Sequence, residues 1–379
     1  MKSILIVAGE GSGDKYGAEA VREFKKRQAE AIFFGLGGER LAGQGVELSA
    51  SLEELNVVGI FEVFGRLPRI RRVFHRLEKE CQARRPAAAV LIDSPDFNLR
   101  LAKRLSRDGI PVLYYISPTV WAWRSGRLKT IRKVVTRMCL IFPFEKRIYD
   151  ERGIPAVFVG HPLKGQVQAR LSREDFLARH SLPAEGVLIA LLPGSRRSEI
   201  KNHLPVLVET VRRLRAEFDV QFLLVLAETI DRDFLHRFLP RGEPGIHVLS
   251  GDGYEALAQS DLVLSSCGTA TLETALLGKP LIAFYRLSPL TYYPFRRLVH
   301  VRSYSIVNIL AGKEFVPELI QRRFNAAALA REARELLLSE KRKAEMKEEF
   351  RKIAASLGDG NAAEGVAREL EKIVFPLRS

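Results

Sequence analysis

Short apolar runs separated by amphipathic stretches constrain this chain more than any other feature. Ile4–Ala8, Ala31–Leu36, Ala87–Ile92, Val112–Ile116 and Cys139–Phe142 are continuous rather than alternating. A strand of that kind is apolar on both faces and belongs in a parallel sheet covered by helices on each side. The helices are supplied by stretches such as Asp14–Gln28 and Leu99–Asp108. The pattern then restarts with Val187–Leu192, Val220–Leu226, Ile246–Leu249, Leu262–Ser265 and Pro280–Phe284, separated by Glu199–Phe218 and Thr269–Leu277. Between the two sets, residues 160–186 are polar, with two prolines and three glycines. The expectation is an α/β chain of two Rossmann-like parallel-sheet domains facing a central cleft, 1–165 and 166–345. Charged helices over 346–379 are expected to pack back on an N-terminal domain, with a break at "GDGN". In open sheets of this class, ligands bind beyond the carboxyl ends of the strands.

Charge and cysteine content narrow the function. The formal net charge of +15 favours an anionic partner: nucleic acid, an acidic lipid surface or a phosphorylated substrate. Nucleic acid is disfavoured, because no recognition-helix motif or interleaved aromatic surface is present. The three cysteines, Cys81, Cys139 and Cys267, form no CxxC pair, which speaks against a disulfide framework or a zinc cluster and fits a reducing cytoplasm. No cofactor or metal is expected. The run Ile4–Ala8 is too short for a secretory leader and reads as a first strand. No stretch approaches the roughly 18 apolar residues of a membrane span, so any membrane contact would be peripheral.

Candidate chemistry sits where strands run out. "AGEGSGDKYGA" (8–18) follows the first strand and opens a helix; Gly9, Gly11, Ser12 and Gly13 form a turn whose amides could meet an anion. It is not GxGxxG, and Asp14 reads equally as the cap of its own helix. "IDSPDF" (92–97) ends another strand with two carboxylates. Asp93 caps nothing obvious and is preferred as a general base; Asp96 belongs to a turn capping a helix from about Leu99. Trp121 and Trp123 follow a strand and precede Arg124 and Arg127, a combination suited to sugar, acyl chain and phosphate, or to simple loop packing. His161, in "FVGHPL", is an acid, a base or a buried structural donor.

In the second half, "LLPGSRRSEI" (191–200) places Gly194, Ser195 and Arg196 between a strand and a helix, a strong phosphate signal that lacks the GK[ST] ending of a P-loop. "SSCGTATLE" (265–273) repeats the design with Gly268, Thr269 and Ala270. Two helix dipoles would then aim at one diphosphate, with Glu273 a turn later for ribose hydroxyls or simply on the helix surface. Residues 55–77 mix apolar and arginine side chains without a neat stripe, as a peripheral membrane segment does and as a core helix with solvated arginines also does.

The ordered set "AGEGSGD", "GIFEVF", "IDSPDFN", "SPTVWAWR", "FPFE", "VGHPL", "LLPGSR", "GTATLE", "AFYR", "VNILAG" and "VPELIQ" resembles the lipid-A-disaccharide synthase family of GT-B glycosyltransferases. The resemblance implies transfer from UDP-2,3-diacylglucosamine to 2,3-diacylglucosamine 1-phosphate (lipid X), with inversion, giving a β-1,6-linked disaccharide 1-phosphate and UDP. It implies UDP contacts at Ser195, Arg196, Gly268, Thr269, Glu273 and Asn308, and Asp93 as base. One departure is Cys267, where the family pattern has Ser. A cytoplasmic enzyme on the acidic surface of the inner membrane is implied, and a homodimer is compatible. The alternative is another UDP-sugar enzyme of the same architecture, such as a UDP-N-acetylglucosamine 2-epimerase or a soluble-acceptor transferase.

Overall fold

The computed structural model describes residues 1–55, 63–288 and 303–376. Among these the chain divides into two units, Met1–Pro162 with Leu357–Ser379, and Leu163–Ser356.

The first unit holds seven parallel strands among the described residues: β1 (Ser3–Ala8), β2 (Ile32–Gly37), β3 (Glu47–Ser51), β4 (Ala88–Ile92), β5 (Val112–Tyr115), β6 (Arg137–Leu140) and β7 (Ala156–Phe158). Their order is β3-β2-β1-β4-β5-β6-β7. Side-chain alternation splits each central strand between two cores. Ile4, Ile6, Val90 and Ile92 face Val21 and Phe24 of the helix Gly11–Arg27, and Val366 and Leu370 of the helix Ala362–Val374. Leu5, Val7, Ala89 and Leu91 face Val73, Leu77, Leu101, Leu105 and Ile131 on the other side. Burial on both faces is why these strands read as continuous apolar runs.

The second unit repeats the scheme with β8 (Val187–Leu192), β9 (Val220–Leu226), β10 (Ile246–Ser250), β11 (Leu262–Ser266), β12 (Leu281–Tyr285) and β13 (Glu318–Ile320), in the order β10-β9-β8-β11-β12-β13 and again all parallel. In each sheet the first strand of the unit lies between neighbours that run away in opposite directions. The strand order therefore reverses at β1/β4 and at β8/β11, and that is where a crevice opens at the carboxyl ends.

The structure amends several expectations. Strands β3, β7 and β13 were not anticipated; β3 is an edge strand with exposed Glu47 and Leu48. The helix expected from Leu99 starts at Pro95, which suits a first helical position because its missing N–H has no partner to lose. Asp14 does not cap its own helix. It is buried, and its carboxylate accepts from the backbone N–H groups of Gly38 (2.6 Å), Arg40 (3.1 Å) and Leu41 (3.3 Å), capping the helix Glu39–Ala42 instead. The C-terminal helices also divide: Glu340–Ser356 stays with the second unit and only residues from Leu357 rejoin the first. Of the segment 55–77, residues 56–62 lie outside the described residues. Its later part does carry a core stripe, since Val73 and Leu77 are fully buried, while Arg69, Arg72 and Arg76 line a cavity of about 400 Å³ with Ser51, Glu53 and Glu54.

The chain leaves and re-enters the first unit at adjoining points. The His161 N–H donates to the Leu357 carbonyl at 2.9 Å. Both Gly358 (φ +85°) and Gly160 (φ +91°) call for glycine by conformation, and Gly358 also by space, since a Cβ there would lie 3.0 Å from the Gly160 Cα.

Candidate active site

In the first unit the switch-point strands β1 and β4 end in "AGEGSGD" and "DSPDF". The β4 turn is strained: Asp93 (φ +46°) and Ser94 (φ +42°) both adopt the left-handed conformation that non-glycine residues avoid. Three residues impose it. Asn98, wholly buried in the helix Pro95–Arg107, donates to the carbonyls of Ile92 (2.9 Å) and Asp93 (2.8 Å). The Tyr114 hydroxyl donates to the Asp93 carbonyl at 2.6 Å. Gly9 presses against the turn so closely that a Cβ there would sit 2.3 Å from Ser94 Oγ. The Asp93 carboxyl is pushed up to about 6, first by burial and then by the negative charge of Glu10, against a small opposing hydrogen bond from the Ser94 backbone. A carboxylate so placed is a competent general base near neutrality. Ser12 lies exposed in the first turn of the neighbouring helix.

Asp96 has a different setting. It lies in the first turn of its helix, exposed, and is paired with Arg124 (3.1 Å) and Arg127 (2.5 Å). Arg124 (φ +51°) also lies over the Trp123 ring at 4.4 Å, and the Trp123 Nε1–H donates to Thr119 Oγ1 at 2.9 Å. The tryptophans thus take unlike roles. Trp123 is bracketed by arginines beside Asp96, whereas Trp121 packs edge-on against Phe144 (5.4 Å), which stacks on Phe142. His161 lies 5.1 Å from the Phe142 ring and is buried, and that burial pulls its imidazole down to about 4. It is therefore neutral at physiological pH. Under the same cluster, burial drives Glu145 up to about 8, partly opposed by the Phe142 backbone and by Ser117 and Trp121. Ile116 (φ +68°) ends β5 nearby, a further strained residue at a strand's carboxyl end.

In the second unit, the switch-point strands β8 and β11 end in "PGSR" and "CGTA". Here one expectation needs correction. The backbone N–H groups of Ser195 (2.9 Å) and Arg196 (3.2 Å) are already engaged by Glu199 Oε2, the fourth residue along. This is the reach-back of a capping box, and Gly194 (φ +123°) makes room for it: a Cβ there would meet Glu199 Oε2 at 2.3 Å. What the turn presents to solvent is the Arg196 side chain rather than those two amides. Across the switch point, Gly268 precedes the helix Thr269–Leu276; Gly268 and Thr269 are exposed and Ala270 half-buried, and a Cβ on Gly268 would meet nothing within 4 Å. Glu273, further along that helix, accepts from the Tyr254 hydroxyl at 3.1 Å. Burial raises the Cys267 thiol, keeping it protonated.

Asn308 also differs from expectation. It is buried, and its amide is fully spent inside the fold. It donates to Val316 O (2.8 Å) and Glu318 Oε1 (2.7 Å) and accepts from the N–H groups of Phe315 (3.1 Å) and Val316 (3.0 Å). Its role here is to hold buried Glu318 and the chain entering β13. The sequence reading gives no role to His203, nor to Glu199 and Tyr285, although the last two fall within "LLPGSRRSEI" and "AFYR". Tyr285 donates to Glu199 Oε1 at 2.9 Å, while His203, fully buried, bridges Pro193 O (2.7 Å) and the Arg286 N–H (3.0 Å). The spacing of Glu199 and His203, one turn apart on a helix face, was the available signal. Among the described residues no group of three or more His, Cys, Asp or Glu side chains is placed to hold a metal ion.

Comparison with known proteins agrees with this geometry. Solved structures of the same fold include a UDP-GlcNAc 2-epimerase from Neisseria meningitidis bound to UDP-GlcNAc (TM-score 0.66, 13% identity, 98% of this chain and 100% of that one). A calicheamicin glycosyltransferase is similar (TM-score 0.63, 14% identity, both chains wholly covered). Both place the chain in the GT-B fold class of two Rossmann-like domains. In sequence it is 44% identical over 368 residues to the lipid-A-disaccharide synthase of Syntrophus aciditrophicus, covering 97% of this chain and 96% of that one. It is 41% identical over 377 residues to that of Myxococcus xanthus, covering 99% and 98%. The family model described as lipid-A-disaccharide synthetase matches residues 4–368. With the strained acid-bearing turn and the two strand-end loops falling inside that match, the chain belongs to the lipid-A-disaccharide synthase family.

Proposed function

We propose that the protein is a lipid-A-disaccharide synthase, an inverting hexosyltransferase that takes UDP-2,3-diacylglucosamine as donor and lipid X as acceptor. The observation that carries the mechanism is Asp93, a half-buried carboxylate at a switch point with its proton affinity raised to about 6. Asp93 removes the proton from the acceptor 6-hydroxyl as that oxygen attacks the donor anomeric carbon opposite the departing UDP. Inversion follows from a single displacement. Negative charge grows on the diphosphate, where the Arg196 guanidinium and the amino end of the helix Thr269–Leu276 offset it. Because Glu199 holds the Ser195 and Arg196 amides, the guanidinium carries more of this work than the turn's backbone does. Removing such a group costs about 3–4 kcal/mol at a transition state.

Trp121, Trp123 and the arginines beside Asp96 are assigned to the acceptor, with Ser12 and His161 bordering it. Gly194, Ser195, Gly268, Thr269, Ala270 and Glu273 are assigned to the UDP-sugar. Both substrates are anionic and acylated, and the net charge of +15 suits docking on the acidic cytoplasmic face of the inner membrane. No helix among the described residues is long and apolar enough to cross a membrane, in keeping with peripheral attachment. The deciding experiment is mass spectrometry of the product from the two acylated sugars, run beside non-acylated UDP-glucosamine. A disaccharide 1-phosphate from the acylated pair supports the reading; turnover of the non-acylated donor alone overturns it in favour of a soluble-acceptor enzyme.

A further inference from the structure

Two side chains of one helix stitch together loops that lie far apart in sequence. His203 and Glu199 stand one turn apart on the helix Arg197–Arg215. His203 is wholly buried between Pro193, which opens the turn after β8, and Arg286, which follows β12. Pro193 O offers only acceptance, so the 2.7 Å contact requires Nδ1 to carry the proton. The Arg286 N–H offers only donation, so Nε2 must accept at 3.0 Å. A single neutral tautomer satisfies both. Phe284, Tyr285 and Phe324 wall the ring at 5.3, 5.3 and 5.6 Å. Asn202 adds a longer contact to the Arg286 carbonyl at 3.5 Å. One turn back, Glu199 ties the Ser195 and Arg196 amides to the Tyr285 hydroxyl.

We propose that His203, with Glu199 beside it, is a positioning residue that presets the Pro193–Arg196 turn against the end of β12, so that Arg196 meets the donor diphosphate without reorganisation. This rests on the reading of the second unit as the UDP-binding one. Neither side chain needs to touch the ligand. The gain lies in affinity for the phosphates, because a turn held in its binding geometry loses no freedom when the ligand arrives.

The test compares His203→Phe with His203→Gln in the full-length protein. Phenylalanine fills the ring's space but makes neither hydrogen bond. Glutamine offers one donor and one acceptor about as far apart as the two ring nitrogens. Binding of UDP and of uridine is measured by calorimetry, with circular dichroism as a check on folding. His203→Phe is expected to weaken UDP binding at least tenfold and leave uridine binding within about twofold, while His203→Gln restores most of the UDP affinity. Equal losses for UDP and uridine would reduce His203 to a general packing role and overturn the proposal, as would unchanged UDP binding in a folded His203→Phe. If His203→Phe does not fold, Tyr285→Phe supplies the test: it unties Glu199 from β12 and is expected to weaken UDP binding several-fold without affecting uridine, and an unchanged UDP affinity overturns the proposal. Failure of the wild-type protein to bind UDP would instead overturn the underlying assignment of the site.

Discussion

Asp93 shows how much can be asked of one residue. Its backbone is held in a left-handed turn, and its carboxyl is buried enough to keep a proton up to about pH 6. Two consequences follow with opposite signs. In the proposed role as base Asp93 must be ionised, so kcat/KM is expected to fall about tenfold per pH unit below 6, and Asp93→Asn to abolish transfer while UDP still binds. For stability, the folded chain keeps a proton here that an unfolded chain loses near its ordinary value of 3.8. The contribution is therefore fully present below about pH 4 and lost as pH rises through 6. Asn tolerates the same backbone and carries no charge, so Asp93→Asn is expected to stabilise the protein at pH 7 by on the order of 2 kcal/mol. A variant that melts higher yet turns over nothing would mark this turn as strained for function; a variant that turns over normally would remove Asp93 from the reaction. Glu145 shifts in the same direction but further. At about 8 it is a neutral acid at physiological pH, and its stabilising contribution is lost as pH rises through that value. Glu145→Gln is expected to leave turnover within about twofold at pH 7 and to flatten the fall in thermal midpoint between about pH 4.5 and 8, which scanning fluorimetry across pH reads directly.

Elements decide what the side chains can reach. Asn308 lies on the short helix Ile306–Ala311 and spends its whole amide on residues 315–318, where buried Glu318 also accepts from the Tyr304 and Ser305 N–H groups and the Ser305 hydroxyl. Asn308→Ala would leave a buried carboxylate and two amides short of partners, and is expected to cost about 2–3 kcal/mol in urea unfolding. Unchanged stability would return Asn308 to the ligand-facing set. The same element explains what sequence reasoning could and could not reach. Runs such as Ile4–Ala8 and Val187–Leu192 announce their strands because both sheet faces are covered, and the turns beyond them become candidate sites by their position in the topology. Strand β13 contains Glu318, whose burial depends on partners from another segment, and no local pattern encodes that. Glu199 and His203 escaped notice for a related reason. Polar residues one turn apart on a helix look solvated until the fold reveals a loop on each side of them. Asp14 illustrates the reverse error: a good cap was recognised, but the helix it caps begins at Glu39.

At the scale of the whole molecule, the second unit is an insertion within the first. The helix Ala362–Val374 buries Val366, Ala367, Leu370 and Val374 against the first sheet's helical layer. It is pinned at its rim by Arg27–Glu364 (3.0 Å) and Arg137–Glu369 (3.1 Å). Arg27–Glu364 is solvent-accessible and adds about 0–1 kcal/mol, whereas Arg137 covers the buried Glu369 carboxylate; the apolar face carries most of the docking. A stop after Ser356 is expected to leave residues 163–356 resistant to limited proteolysis while residues 1–162 become digestible; equal resistance of both would show the helix to be dispensable. The net charge belongs to this scale too. Sedimentation with vesicles is expected to require anionic lipid and to weaken as salt rises from 0.05 to 0.5 M, roughly a threefold shortening of the screening length; binding indifferent to both would refute an electrostatic dock. The adjoining exit and return at Gly160 and Gly358 carry one more implication. During synthesis the inserted lobe emerges whole before the host sheet receives the helix Ala362–Val374, so the amino-terminal half must wait, one apolar face only partly covered by the helix Gly11–Arg27, until translation has passed residue 374. For that interval the nascent chain exposes apolar surface that the finished fold hides.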